Sequence, residues 1–295
     1  MSGSRETNRR AVVVISSHVA RGSVGNRAAV LTFEHLGFPV WAVPTVVLPW
    51  HPGHGPATRI VPPPEQFAAL MRDLENAPWL DEVGAVLSGY LGDAAQADAV
   101  ASFVKALKAR NPETLYLCDP VCVDENGLYV PQETANAIRE KLLPLADIAT
   151  PNRFELEWLA GGASLNDNTQ LARAALDLGP STVLVTSAHA LMAASTGNLL
   201  VTERDLILAE HRLVQGAPNG TGDLAAAHFL AGILGGRGGA VALQATTAAV
   251  FEMVARAVKR GSDELMLETD SQSLSHPMAM VQIRRMVHPF GNKRA

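Results

Sequence analysis

Cysteine is scarce in this chain. Only Cys118 and Cys122 occur in 295 residues, and their spacing fits neither a C-x-x-C redox pair nor a zinc ribbon, which makes a reducing cytoplasm the expected compartment. Concentrated positive charge is missing too. Lys plus Arg number 24 against 29 for Asp plus Glu, a net charge of −5 with no basic block. No nucleic-acid partner is expected, and any bound anion must be held locally. At 18% charged and 47% apolar residues, the chain is neither disordered nor laced with surface ion pairs, and should fold as a soluble globule. Long hydrophobic runs are absent as well. "MSGSRETNRR" is polar and the following "AVVVI" is too short for a signal-peptide core. The most apolar region, 223 to 250, is broken by Asp223, His228 and Arg237, so no membrane anchor is expected. With no internal repeat and no low-complexity linker, residues 1–10 read as a flexible N-terminal tail and 11–295 as one domain.

What is present is an alternation. Short β-branched runs stand at 11–16, 41–48, 83–88, 114–118, 146–149 and 182–187. Helical patterns lie near 24–36, 64–76, 93–110, 131–143, 152–160, 167–178, 223–234 and 240–259. Continuous apolar strands imply burial on both faces, and strand–helix repetition predicts an α/β domain with a mostly parallel, doubly wound sheet.

Polar or small residues follow the strands: Ser16, Ser17 and His18; Ser88, Gly89 and Tyr90; Asp119 and Pro120; Thr150, Pro151 and Asn152; Thr186 and Ser187. In an open α/β sheet the ligand crevice lies outside the carboxyl ends of the strands, so these loops should converge on one site. Each taken singly also reads as a helix cap.

The stretch "APNGTGDLAAAHFLAGIL", 217 to 234, sets two glycines and an aspartate before an apolar helix. Glycines let successive N–H groups point into one small space, and the helix end adds partial positive charge, which suits an anion. A carboxylate there repels phosphate as a contact but makes sense as a base that accepts a proton from a substrate alcohol. Asp223 also reads as an acidic residue favouring a helix N-terminus. Gly220, Gly222 and Ala225 match a loose GxGxxA, yet Pro218 and Asn219 precede them instead of a strand, which weakens a dinucleotide reading. No GxxxxGK[ST] loop exists.

With "SSHVARGSVGNRAAVLTFEHLGF" at 16–38, "LSGYLGD" at 87–93, "CDPV" at 118–121, "LADIATPNRFELEWL" at 145–159, "VLVTS" at 183–187 and "GTGD" at 220–223, the chain resembles the ribokinase-like superfamily, and within it the pyridoxal kinases. GTGD alone indicates the superfamily; Ser-His-Val, Ser-Gly-Tyr and Thr-Pro-Asn are more specific. The resemblance implies a ribokinase-like single domain with helices on both faces of the sheet, a homodimer, ATP and Mg2+ with room for K+, and phosphorylation of the 5′-hydroxymethyl group of pyridoxal. A hydroxymethylpyrimidine or other small-alcohol kinase and a non-catalytic vitamin-binding protein are the alternatives; a retained base argues against the last.

Carried over by resemblance, Asp223 is the catalytic base and Gly220, Thr221 and Gly222 form the anion hole. Ser17, His51, Pro52 and Tyr90 border the vitamin. Asp119, Asn152, Glu155, Thr186, Ser187, Thr221 and Gly222 lie on the nucleotide side, with Asp124, Thr150 and Glu155 near the metal. "VDENG" around Asp124 also reads as a solvated turn. The resemblance further implies that the loop near 120–130, with Tyr129, covers the nucleotide. One departure is plain: where the family often has Asn-His-Thr, this chain has Trp50-His51-Pro52, so a threonine hydroxyl contact is missing and preference among B6 vitamers is open. His51 and His54 make an incomplete metal set, and Cys122 is given no role.

Overall fold

In the computed structural model, residues 9–290 are described. The strands are β1 (Ala11–Val19), β2 (Val40–Leu48), β3 (Val83–Ser88), β4 (Leu115–Cys118), β5 (Val123–Asp124), β6 (Gly127–Leu128), β7 (Ile148–Ala149), β8 (Thr182–Ala188), β9 (Ser195–Thr202), β10 (Leu206–Arg212) and β11 (Gln282–Arg285). The helices are α1 (Asn26–His35), α2 (Pro64–Glu75), α3 (Gln96–Arg110), α4 (Gln132–Ala137), α5 (Arg153–Leu159), α6 (Asn168–Asp177), α7 (Thr221–Leu234), α8 (Gly239–Arg260), α9 (Leu267–Asp270) and α10 (Gln272–Ser275).

Side chains alternate across a strand, and β1 shows the consequence. Val12 and Val14 enter a core with Phe33 of α1, Phe229 of α7 and Leu243 of α8, while Val13 and Ile15 enter another with Phe67 of α2 and Phe103 of α3. A strand covered on both faces must be apolar at every position, as "AVVVI" is. The nine-stranded sheet runs β11-β10-β9-β8-β7-β4-β3-β1-β2. It is parallel from β2 through β8 and antiparallel from β8 to β11. The ribokinase-like α/β architecture and its flanking helices follow the expectation. The antiparallel edge does not appear in the sequence reading: β9 opens on polar residues and all four residues of β11 are exposed, while the apolar run Leu206 to Ala209 of β10, buried in the fold, is a strand signal that the reading passed over.

Three local differences have physical causes. The helix expected over 131–143 holds α geometry only to Ala137, then widens to a π turn and tightens to a 3₁₀ turn containing Pro144, which has no N–H for the helical ladder. Of the tail read at 1–10, Arg9 donates to the Leu36 carbonyl and stacks 4.5 Å from the Phe38 ring centroid, and Arg10 donates to the Asp81 carbonyl at 2.6 Å; residues 1–8 lie outside the described residues, as do 291–295. Finally, α8, the helix expected at 240–259, is by length and composition apolar enough to cross a membrane, but it packs on α7 and β10 with more than half of its apolar window inside the fold.

Candidate active site

The loops at the carboxyl ends of the parallel strands are stitched to one another. The Tyr90 N–H donates to Ser16 Oγ at 3.2 Å, the Asp119 N–H to the Ser88 carbonyl at 2.8 Å, Thr150 Oγ1 to Asp119 Oδ1 at 2.8 Å, and the Thr186 N–H to the Pro151 carbonyl at 2.9 Å. The five polar stretches read from the sequence therefore form one continuous rim. Two of these bonds continue parallel pairing, Ser88 with Cys118 and Asn152 with Thr186, while the Ser16 and Thr150 hydroxyls add side-chain ties that register does not give.

Opposite that rim, Gly220 caps α7 in the left-handed region, with φ at +92°. A Cβ there would stand 2.1 Å from the Ser23 carbonyl oxygen, so only glycine permits the turn to press against the β1–α1 loop. Gly222 borders open space, with nothing within 4 Å of its Cβ position. Thr221 and Gly222 begin the helix and leave their amides without earlier turns to bond. Asp223 follows in the first turn, enclosed on most sides yet still reached by solvent. Burial pushes its carboxyl up to about 6, opposed by the backbone N–H of Gly25 and by its own. Gly25 is a residue the sequence reading missed. Its φ of +56° and its approach to Ser17, 2.3 Å from a would-be Cβ, tie the Ser17 loop to the carboxylate. The available signal was a glycine just before α1, following a strand.

Two more carboxyls share the cleft. Asp119 is buried and pushed up to about 8, first by burial and then by the charge of Asp223, against the hydroxyl bond from Thr150. Glu155 is raised by burial and by Asp119, and is steadied by N–H donors from Asn152 at 2.7 Å and Cys122 at 3.1 Å. Asn152 and Glu155 form a reciprocal capping box on α5, the Asn152 side chain accepting from the Glu155 N–H at 2.8 Å. Asn152 also donates to the Val123 carbonyl at 2.9 Å, anchoring the β5–β6 hairpin. On that hairpin the Tyr129 ring is half exposed, while its hydroxyl is raised by burial and by Glu155. Among the described residues no basic side chain pairs with Asp119, Glu155 or Asp223, and no group of three His, Cys, Asp or Glu side chains forms a ready-made metal cage.

The remaining sequence candidates fall in different settings. Ser17 is buried at the end of β1. The Tyr90 hydroxyl accepts from Arg59 at 3.3 Å, another residue the sequence reading did not name. Burial, and then neighbouring His54, lower the His51 imidazole below its ordinary value against the charge of Glu264, and its Nδ1 accepts from the Gly53 N–H at 3.0 Å. Its loop borders the glycine turn, with the Asn219 amide 3.1 Å from the Cβ position of Gly53. Pro52 is exposed, and so is Ser187, whose φ of +54° interrupts the β8–β9 register. Asp124 is exposed on the β5–β6 turn, where Oδ1 accepts from the Asn126 N–H at 2.7 Å, the geometry of a turn cap. Cys118 and Cys122 are buried free thiols, and burial pushes both up, Cys118 to about 12, which leaves them unreactive. A cavity of about 660 Å3 beside α8, lined by Phe251, Arg256 and Met278, lies outside this rim and shares none of its chemistry.

Carboxyls without basic partners, set at the mouth of an anion-binding turn, suit phosphoryl transfer to an alcohol, and on this sheet they define an ATP-dependent small-molecule kinase of ribokinase-like fold. The phosphomethylpyrimidine kinase family model matches residues 21–268. Pyridoxal kinase PdxY of Rubrobacter xylanophilus is 37% identical over 93% of this chain and 97% of its own, and that of Corynebacterium diphtheriae 32% over 93% and 99%. The pyridoxal kinase of Leishmania donovani, solved in complex with ADP and pyridoxamine, superposes with a TM-score of 0.86 at 28% identity, covering 94% of this chain and 99% of that one. The chain belongs to the pyridoxal kinase family.

Proposed function

We propose that the protein transfers the γ-phosphoryl group of ATP to the 5′-hydroxymethyl group of pyridoxal, giving pyridoxal 5′-phosphate and ADP. The observation that carries this reading is Asp223: a carboxyl raised to about 6 in the first turn of α7, next to Gly220–Gly222 and tied to the Ser17 loop through Gly25. Asp223 takes the alcohol proton as the oxygen attacks the γ-phosphorus, and the bond to the bridging oxygen breaks as ADP leaves. The amides of the turn stabilise the charge on the equatorial oxygens. Ser17, His51 and Tyr90 border the pyridine ring, and Asn152, Thr186 and Ser187 the nucleotide.

The like-charged, mutually raised pair Asp119 and Glu155, with the Thr150 hydroxyl beside it, fits a hydrated divalent cation such as Mg2+, which neutralises phosphate charge when bound. Asp124 is left out of this set because its carboxylate is occupied in its own turn. The absence of a hydroxyl at Pro52 supports a vitamer preference different from relatives that carry threonine there. Two buried free thiols suit a reducing compartment, and the family resemblance supports a homodimer.

Incubating the protein with Mg-ATP and pyridoxal, then assaying the phosphorylated aldehyde by its absorbance and mass, tests the assignment directly. Competition by hydroxymethylpyrimidine, the alcohol suggested by the matching family model, separates the two substrates. Faster turnover of the pyrimidine would overturn the pyridoxal reading.

A further inference from the structure

Three loops meet at Glu264, a residue with no part in the proposed chemistry. Its side chain is 11% exposed. Oε2 accepts from the Ser23 N–H at 3.3 Å in the β1–α1 loop, and Arg21 donates to Oε1 at 3.4 Å. Gly22, at φ +111°, passes so close that a Cβ would lie 2.6 Å from Oε1. Ser23 Oγ donates to the Leu265 carbonyl at 2.7 Å, and Ser23 is the residue against which Gly220 turns. Asn219, one residue before the anion turn, bridges to Glu264 through the backbone. Glu264 is thus fixed to both the Ser17 loop and the glycine turn.

The third loop is the one carrying His51. Beyond its start, where the Pro49 carbonyl accepts from the Arg21 N–H at 2.9 Å, it has few anchors: the His51–Gly53 contact is internal, Trp50 Nε1 reaches only the Gly55 carbonyl at 3.2 Å, and Pro52 is exposed. Its side-chain tie to the rest of the site is His54, whose Nε2 donates to Glu264 Oε1 at 2.9 Å, with Asp263 3.8 Å from Nδ1. The His54 side chain is 22% exposed, sheltered enough for the bond to persist against water.

We propose that His54 is a positioning residue, holding the His51 loop onto the mouth of the glycine turn by its hydrogen bond to Glu264. A loop held in its binding-competent form binds without a further ordering cost, so the latch acts on vitamin affinity and leaves the phosphoryl-transfer step alone. The inference rests on pyridoxal as the ring that His51 borders, so its test has one readout that needs no substrate. Amide hydrogen exchange over residues 50–55 of the free protein should quicken in His54→Ala and return to the wild-type rate in His54→Gln, which keeps an N–H donor. In steady-state kinetics His54→Ala should raise KM for pyridoxal about five-fold, with KM for ATP and kcat unchanged, and His54→Gln should recover most of that loss. Unchanged exchange in His54→Ala, an equal rise in both KM values, or no rescue by glutamine would overturn the latch. A wild-type protein that leaves pyridoxal untouched overturns the substrate instead, and the exchange experiment still decides the role of His54.

Discussion

Asp223 owes its chemistry to where it stands. Burial raises its carboxyl, while two backbone N–H groups keep the shift moderate at about 6, close to the range in which a general base both ionises and holds a proton well. Because the base works only when ionised, kcat/KM for pyridoxal should fall as pH drops through about 6, and a limb near the ordinary aspartate value of about 4 would contradict the buried setting. Asp223→Ala should lower kcat by about 10² to 10⁴ and leave ATP binding, measured by calorimetry, little changed. Near-normal turnover in that variant would remove Asp223 from the chemistry. At this scale the glycines and the aspartate were legible in the sequence because they are neighbours in it. Gly25, His54 and Glu264 were not, since each acts on residues far along the chain: Ser23 and Glu264 are separated by 241 positions.

Among the elements, α5 has the closest coupling between stability and site. Its capping box satisfies amides at the helix start and at the same time orients Glu155 toward Asp119, while the Asn152 amide holds the β5–β6 hairpin through Val123. Asn152→Ala removes the cap and the hairpin tie together. Chemical denaturation should show a loss of about 1 to 2 kcal/mol, and KM for ATP should rise more than KM for pyridoxal. Equal effects on both substrates would mean that the cap is only structural. "TPNRFE" announced a capped helix start, but nothing in those six letters indicated that the N–H of Cys122 would share the same carboxylate.

For the whole molecule, buried His228 shows how the two halves of one face are bound together. On α7, its Nε2 donates to the Leu274 carbonyl in α10 at 2.8 Å and its Nδ1 accepts from Thr246 Oγ1 in α8 at 2.9 Å. Burial depresses its pKa from 6.5 to about 4, with the Leu274 carbonyl opposing and Arg237 adding. The folded state thus favours neutral imidazole, and an unfolded chain binds the proton more readily. Stability from this residue is complete above pH 6.5 and is lost as pH falls toward 4, by about 3 kcal/mol. Since Asp119 and Asp223 are shifted upward and respond in the opposite sense over overlapping pH ranges, the test is a difference. Thermal or urea unfolding of wild type and His228→Gln across pH 4 to 7 should show a steeper acid loss in wild type, and parallel curves would refute it.

The sequence by itself determined the parallel part of the sheet, its helices and the position of the anion turn, because these depend on local periodicity and on glycines adjacent in the chain. It left the antiparallel edge unseen: β9 opens on polar residues and β11 is exposed throughout, and although Leu206 to Ala209 of β10 form a buried apolar run, nothing local to it shows that the strand pairs antiparallel. Only the tertiary structure decided which carboxyls face one another, that Asp124 caps a turn, and that His54 reaches Glu264. Charge regulation and loop anchoring depend on distances between residues remote in the chain, and those distances exist only once the sheet has brought its strand ends together.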